Sequence, residues 1–217
     1  RTLADKGDKG LLVGGLNAHY GNANAGVQSV FGIGSLDTDG YGVGATLTWY
    51  GPQGFYADGQ AQISWFRSDL DSSVLGQLAD DNTGRGEAFS LELGKRTEVS
   101  AALSLTPQLQ MTYAHVDFDR FTDRFGAAVS VRHAESLKTR WGVSLDHQAT
   151  WEHQGSARRS HLYGLVNVSF EWLDGTLTEV SGTRLAHADD RWWGELGLGG
   201  SLTLSERLTI YGEVSAS

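Results

Sequence analysis

The chain contains no cysteine, only 2 prolines among 217 residues, and no run approaching the roughly 20 apolar residues that a transmembrane helix needs. Without cysteine there is no disulfide framework, no thiol catalysis and no zinc site with Cys ligands. A cysteine-free chain also suits passage through an oxidising compartment before folding. No window shows helical periodicity. Basic residues are in the minority, with 17 Lys+Arg against 26 Asp+Glu and a net charge of -9, which argues against a nucleic-acid partner. No signal peptide is visible, so an exported protein is represented here by a mature or trimmed segment.

Glycine and aromatic residues are abundant: 29 Gly, 7 Trp, 7 Tyr and 8 Phe. They occur in segments that alternate with period two, the signature of strands. The clearest runs from Arg140 to Trp151. One face carries Trp141, Val143, Leu145, His147, Ala149 and Trp151; the other carries Arg140, Gly142, Ser144, Asp146, Gln148 and Thr150. The apolar face is closed by an indole at each end, as expected where lipid meets water on both sides. Ten residues at about 3.3 Å each, tilted by roughly 40°, rise about 25 Å, the height of an outer-membrane apolar band. Similar segments are read at Leu11–Tyr20, Tyr41–Tyr50, Phe55–Trp65, Glu87–Lys95, Leu103–His115, Leu162–Trp172, Trp192–Leu204 and Leu208–Ser217, about nine strands in all. Pro107 weakens its segment, since proline cannot donate to a ladder. Gly51-Pro52-Gln53-Gly54 and Ser205-Glu206-Arg207 read as tight turns. Polar stretches at about 21–40, 68–86, 117–138 and 174–191 read as long loops, the one at 117–138 with room for a short strand or ribbon of its own, and residues 1–10 as a loop or cut end. Long and short connections therefore alternate, which fits an antiparallel up-and-down membrane barrel better than a soluble sandwich. The mean hydropathy of -0.29 is compatible with this, because alternation dilutes the average.

On this reading the polar faces line a lumen of Asp58, Gln60, Gln62, Glu92, Gln108, Gln110, Arg140, Asp146, Gln148, Asn167, Glu171, Glu195, Tyr211 and Glu213. A wet lumen can solvate or pair such groups; a dry core could not. Trp49, Phe55, Trp65, Trp141, Trp151 and Trp172 are expected in the aromatic girdles. Little looks catalytic. Asp146 and His147 are adjacent but face opposite sides of a strand, so they are no dyad. The seven histidines show no metal spacing, and no cofactor is expected. Asp189-Asp190 and Asp117/Asp119 read as solvated loop charges. Phe31-Gly32-Ile33-Gly34 is turn chemistry, since no helix follows it. No Gly-x-Ser-x-Gly elbow occurs.

Several segments together resemble classical (type V) autotransporter translocator domains. They are Leu105-Thr106-Pro107-Gln108-Leu109-Gln110-Met111-Thr112-Tyr113 with Val116-Asp117-Phe118 and Phe121-Thr122-Asp123, Gly51-Pro52-Gln53-Gly54-Phe55-Tyr56-Ala57-Asp58-Gly59, Arg140-Trp141-Gly142, and Leu208–Ser215. The resemblance covers essentially the whole chain. It implies a twelve-stranded barrel in the outer membrane of a Gram-negative bacterium, secreting and anchoring an N-terminal passenger linked by a helix through the lumen. It implies outer-membrane lipid, the passenger with its helix, and the assembly machinery as partners, and a monomer. The lumen candidates for holding the helix are Glu92, Arg140, Glu171, Glu195 and Glu213. The only chemistry it admits is cleavage of the passenger within the chain. The nine visible strands, the missing helix and the non-aromatic final Ser217 imply that residues 1–217 are a translocator domain incomplete at both ends. Two other readings stand beside it: a porin-like or adhesive barrel binding partners through its long loops, and an outer-membrane enzyme, for which no convincing acid or His/Asp pair is found.

Overall fold

A computed structural model of the chain describes residues 2–5, 7–29, 32–153, 156–188, 190–205 and 208–217. Its strands are β1 (Thr2–Asp5), β2 (Leu11–Ser29), β3 (Gly32–Tyr50), β4 (Phe55–Ser72), β5 (Gly76–Lys95), β6 (Thr97–Glu98), β7 (Leu103–Phe118), β8 (Phe121–Thr122), β9 (Ala128–His153), β10 (Ser156–Glu171), β11 (Thr176–Val180), β12 (Thr183–His187), β13 (Trp192–Ser205) and β14 (Leu208–Ala216). Two short 3-10 turns, Gly7–Lys9 and Pro52–Gly54, are the helical elements among the described residues. The main sheet runs β1-β2-β3-β4-β5-β7-β9-β10-β13-β14. Every neighbour along it is antiparallel. This is the up-and-down order expected from the alternation. Among the described residues β1 pairs only with β2, and β14 only with β13. β1 lies in the segment expected to be loop, so the main path has one strand more than the periodicity predicts.

The two faces are sorted inside out relative to a soluble domain. Ser64, Ser68, Ser104, Thr106, Asn167 and Ser169 are buried, whereas Leu47, Leu91, Leu145, Val166 and Leu198 are exposed. The serines and threonines lie on the inner wall. The leucines and valines form the outer one, which lipid covers.

The expected long loops prove to be mostly strand. β2 and β3 stay paired out to Ser29↔Gly32, and β4 and β5 out to Ser72↔Gly76. β9 begins at Ala128, where Phe121↔Val129 ties β8 to one side and Val180↔Val129 ties β11 to the other. Beyond the bilayer both faces of a hairpin meet water, so the apolar alternation that marks a strand disappears although the ladder continues. Ser35, Asp37, Asp39, Asp69 and Asp71 belong to such extensions.

The turn at residues 51–54 closes as its chemistry predicts. Gln53 (φ 58°) and Gly54 (φ +81°) are left-handed, and Gly51 N donates to Phe55 O at 2.8 Å. Pro107 is accommodated at a break in one ladder. Pairing of β7 with β5 stops at Gly94↔Gln108 and resumes with β6 at Thr97↔Leu105. On its other side Pro107 stays in register with Val143 of β9. Of the expected turn at 205–207, Glu206 and Arg207 lie outside the described residues, as do Phe31 and Asp189.

Candidate functional site

Hydrogen-bonded register sets the inner wall. One row runs Thr48–Asp58–Glu92–Gln110–Arg140–Ser169 through β3, β4, β5, β7, β9 and β10. Within it Arg140 Nη2 donates to Glu92 Oε2 at 2.6 Å, and Tyr56 OH donates to Glu92 Oε1 at 2.7 Å. Both charges are well shielded, with side-chain exposures of 29% for Arg140 and 17% for Glu92. On the neighbouring strand β4, Gln60 Nε2 donates to Asp58 Oδ1 of the same strand at 2.8 Å. Glu92 and Arg140 are the two predicted residues that the fold brings into contact.

The other three candidates are placed apart. Glu195 accepts from Asn167 Nδ2 at 2.9 Å. Glu213, on the edge strand β14, accepts from Tyr163 OH. Glu171, at the end of β10, is committed to its own wall. It accepts from Ser136 Oγ at 2.6 Å, Leu137 N at 2.8 Å and Leu173 N at 3.1 Å. A carboxylate so engaged joins the end of β10 to β9, with little capacity left for a partner.

Three features of the wall escape the alternation pattern. Asp146 does find a histidine, but across strands: His161 Nε2 lies 2.7 Å from Asp146 Oδ1, and Ser144 Oγ donates to Asp146 Oδ2 at 2.8 Å. Lys138 shares the inner face of Arg140, and its Nζ lies 4.9 Å from the ring centre of Trp193. It falls in a stretch that reads as loop, which hides it. Large inner side chains also lie flat over glycines of the adjacent strand. A Cβ at Gly199 would come 2.5 Å from Tyr163 Cζ, and one at Gly42 2.6 Å from His19 Cε1. Tyr56 covers Gly94, and Asn167 covers Gly142, in the same way. These rings follow the wall instead of crossing the lumen. At the short-turn end, a 580 Å³ cavity lined by Tyr56, Asp58, Glu92, Arg96 and Asp146 opens into that interior. Among the described residues no group of three or more His, Asp or Glu is gathered as a metal site.

The outer wall carries aromatic side chains near both ends. Near the long hairpins Tyr41 stacks on Trp65 at 5.7 Å, and Trp141 on Trp192 at 6.1 Å. Phe170 meets Trp172 edge-on at 4.8 Å and Trp192 at 4.6 Å. Trp172 Nε1 donates to Thr139 Oγ1 at 2.9 Å, which explains why Thr139 is buried on an otherwise exposed face. Near the short turns Trp49 Nε1 donates to Lys9 O at 3.1 Å, and Lys95 Nζ lies 4.8 Å from the centre of Phe55. Trp151 is exposed on the same side. Trp192 is missed by the pattern because it stands beside Trp193, which faces inward.

An Autotransporter beta-domain profile matches residues 4–215. The chain is similar to the "Adhesin BmaC autotransporter" of Brucella suis biovar 1 (strain 1330), with 40% identity over 94% of the chain and 6% of that protein. It is similar to the "Probable autotransporter YfaL" of Escherichia coli (strain K12), with 25% identity over 94% of the chain and 16% of that protein. The chain thus spans a small part of the curated relatives it matches. Among solved structures, the transport unit of the autotransporter AIDA-I from Escherichia coli superposes with a TM-score of 0.80 at 20% identity, covering 99% of this chain and 72% of that one. The beta domain of the Bordetella autotransporter Brka gives 0.58 at 18% identity, covering 94% and 84%. An all-strand antiparallel sheet with a polar inside and an apolar outside, matched over nearly its whole length, belongs to the autotransporter beta-domain family, the outer-membrane translocators of surface passengers.

Proposed function

We propose that the lumen of this domain carries the segment connecting it to its passenger, and that Arg140 and Glu92 are the principal groups touching that segment. The observation that supports this is their shielded contact on a wall whose large rings lie flat over glycines. Arg140 has five N–H donors, and the Glu92 contact uses one. The rest can reach backbone carbonyls at a helix C-terminus or side-chain oxygens. Glu195 and Glu213 add acceptors further round the wall, whereas Glu171 serves the strand joint. Trp49, Phe55 and Trp151 are read as the aromatic girdle of one interface, and Trp65, Trp141 and Trp172, with Trp192, as that of the other. The domain works as a monomer placed by the outer-membrane assembly machinery. Its passenger is adhesive, in keeping with the adhesin name of the Brucella relative. No catalytic step is assigned to the barrel.

The test uses the full-length protein in outer membranes, with Arg140→Gln and Glu92→Gln singly and together. Surface display is read by extracellular protease and barrel folding by heat-modifiable mobility. Display is expected to fall several-fold in variants whose barrels still fold. Unchanged display from a folded double variant would sink the assignment.

A further inference from the structure

We propose that the outer wall at the short-turn end of β3, β4 and β5 is a binding site for an anionic diacyl phospholipid of the periplasm-facing leaflet, with Lys95 on the phosphate and an acyl chain along β4. The short-turn end of an outer-membrane barrel faces the periplasm. Lys95 faces outward there, in register with Phe55. Its half-buried stem is held on the Phe55 ring, with Nζ 4.8 Å from the ring centre. No carboxylate lies within ion-pair distance of it among the described residues. The charge is therefore positioned at the interface by an aromatic ring and is not neutralised by the protein. Lys9 stands at the same corner, its carbonyl accepting from Trp49 Nε1 at 3.1 Å. In a chain of net charge -9, a lysine with no carboxylate within ion-pair distance among the described residues, standing at a membrane rim, favours an anionic headgroup over a zwitterionic one.

A cavity of 530 Å³ begins beneath Lys95, lined by Trp49, Phe55, Ala57, Leu93 and Leu109. One outward row further along the same strands, a groove of 1110 Å³ begins, bounded by Leu47, Gly59, Leu91 and Met111. Where they meet, they follow β4 from Phe55 to Ala61, with Trp49 and Leu47 on one side and Leu93 and Leu91 on the other, and the larger groove spreads from there across the strands to Leu16 and Leu137. Six residues at about 3.3 Å, tilted by roughly 40°, rise about 15 Å, slightly more than half of the roughly 25 Å apolar band of an outer-membrane barrel. The groove is therefore as deep as one leaflet, and its cation stands where the phosphate of that leaflet stands.

The proposal rests on the outer wall being the lipid face, which the relative cost of Leu145→Arg and Ser144→Arg decides separately. The full-length protein, purified and delipidated in neutral detergent, is offered labelled phosphatidylglycerol or phosphatidylcholine, and the retained lipid is counted. The wild type is expected to retain phosphatidylglycerol preferentially, and less of it as salt rises. Lys95→Gln should lose about fivefold, the equivalent of about 1 kcal/mol for one cation at a lipid surface, and Lys95→Arg should keep the preference. Ala57→Leu, which fills the groove beneath the lysine, should lower retention of both lipids. Equal retention of the two lipids by the wild type overturns the proposal. So does an unaltered preference in a folded Lys95→Gln variant. Should that variant fail to fold, salt-independent retention by the wild type overturns it equally.

Discussion

Arg140 on β9 reaches across β7 to Glu92 on β5, over Gln110, which stands between them in the same row. The bond therefore ties together strands that share no ladder. A charged hydrogen bond in a partly dry wall contributes about 1–2 kcal/mol beyond either side chain alone. A double-mutant cycle of Arg140→Gln and Glu92→Gln, read by denaturant unfolding of the folded barrel, should return a coupling of that sign and size. Removing Arg140 alone leaves Glu92 with Tyr56 as partner, so the Arg140 single variant should be the milder of the two. A coupling near zero would show that solvent already carries both charges.

Leu145 lies outward, midway between Trp141 and Trp151, and its neighbour Ser144 lies inward. Arginine at a lipid-facing midplane position costs about 2–4 kcal/mol, far more than in a wet lumen. Leu145→Arg should thus lower barrel stability in bilayers by that amount, while Ser144→Arg should cost much less. Equal costs, or the reverse order, would mean the faces are assigned the wrong way round.

Gly199 is where Tyr163 lies down on the wall, and any larger residue must lift the ring into the lumen. Overpacking of this kind costs about 1–3 kcal/mol. Gly199→Val should slow barrel folding, seen as a delayed heat-modifiable band, and should narrow the route for the passenger. Tyr163→Ala in the same chain should restore the folding rate, because it removes the clash. Failure of that rescue would point to a backbone effect instead.

Asp39 lies on the hairpin extension beyond Tyr41 and Trp65. The hydrogen bond from Tyr20 OH at 2.7 Å, with a further one from Asn22, holds its carboxyl below the ordinary carboxylate value. A lowered carboxyl pKa contributes stability above its unfolded value, and that contribution is lost as pH falls through the folded value. Carboxyl NMR of the folded protein should find Asp39 titrating low, and Tyr20→Phe should move it back up. The pair is solvent-exposed, so the change should appear in the titration and hardly in the unfolding midpoint.

The alternation from Trp141 to Trp151 made the strand, its outward face and its membrane height legible from residue types alone. The same rule placed Glu92 and Arg140 on one wall. It failed where its physical cause is absent. Beyond the bilayer water bathes both faces, so β2 and β3 continue through Asn22, Asn24, Asp37 and Asp39 without any apolar signal. Lys138 was lost for that reason, and Trp192 because its neighbour Trp193 is as large and points the other way.

Period and polarity therefore determine, within the sequence, that this chain is a barrel wall with lipid outside and water within. They act through neighbours two residues apart, which every strand carries in itself. Partnership across the wall depends on how far each strand is shifted against the next. That shift accumulates over ladders from Glu92 through Gln110 to Arg140, and from Asp146 diagonally to His161. Only the folded sheet decides it, because the register of each ladder is set by turns and bulges such as the break at Pro107, which no single strand records.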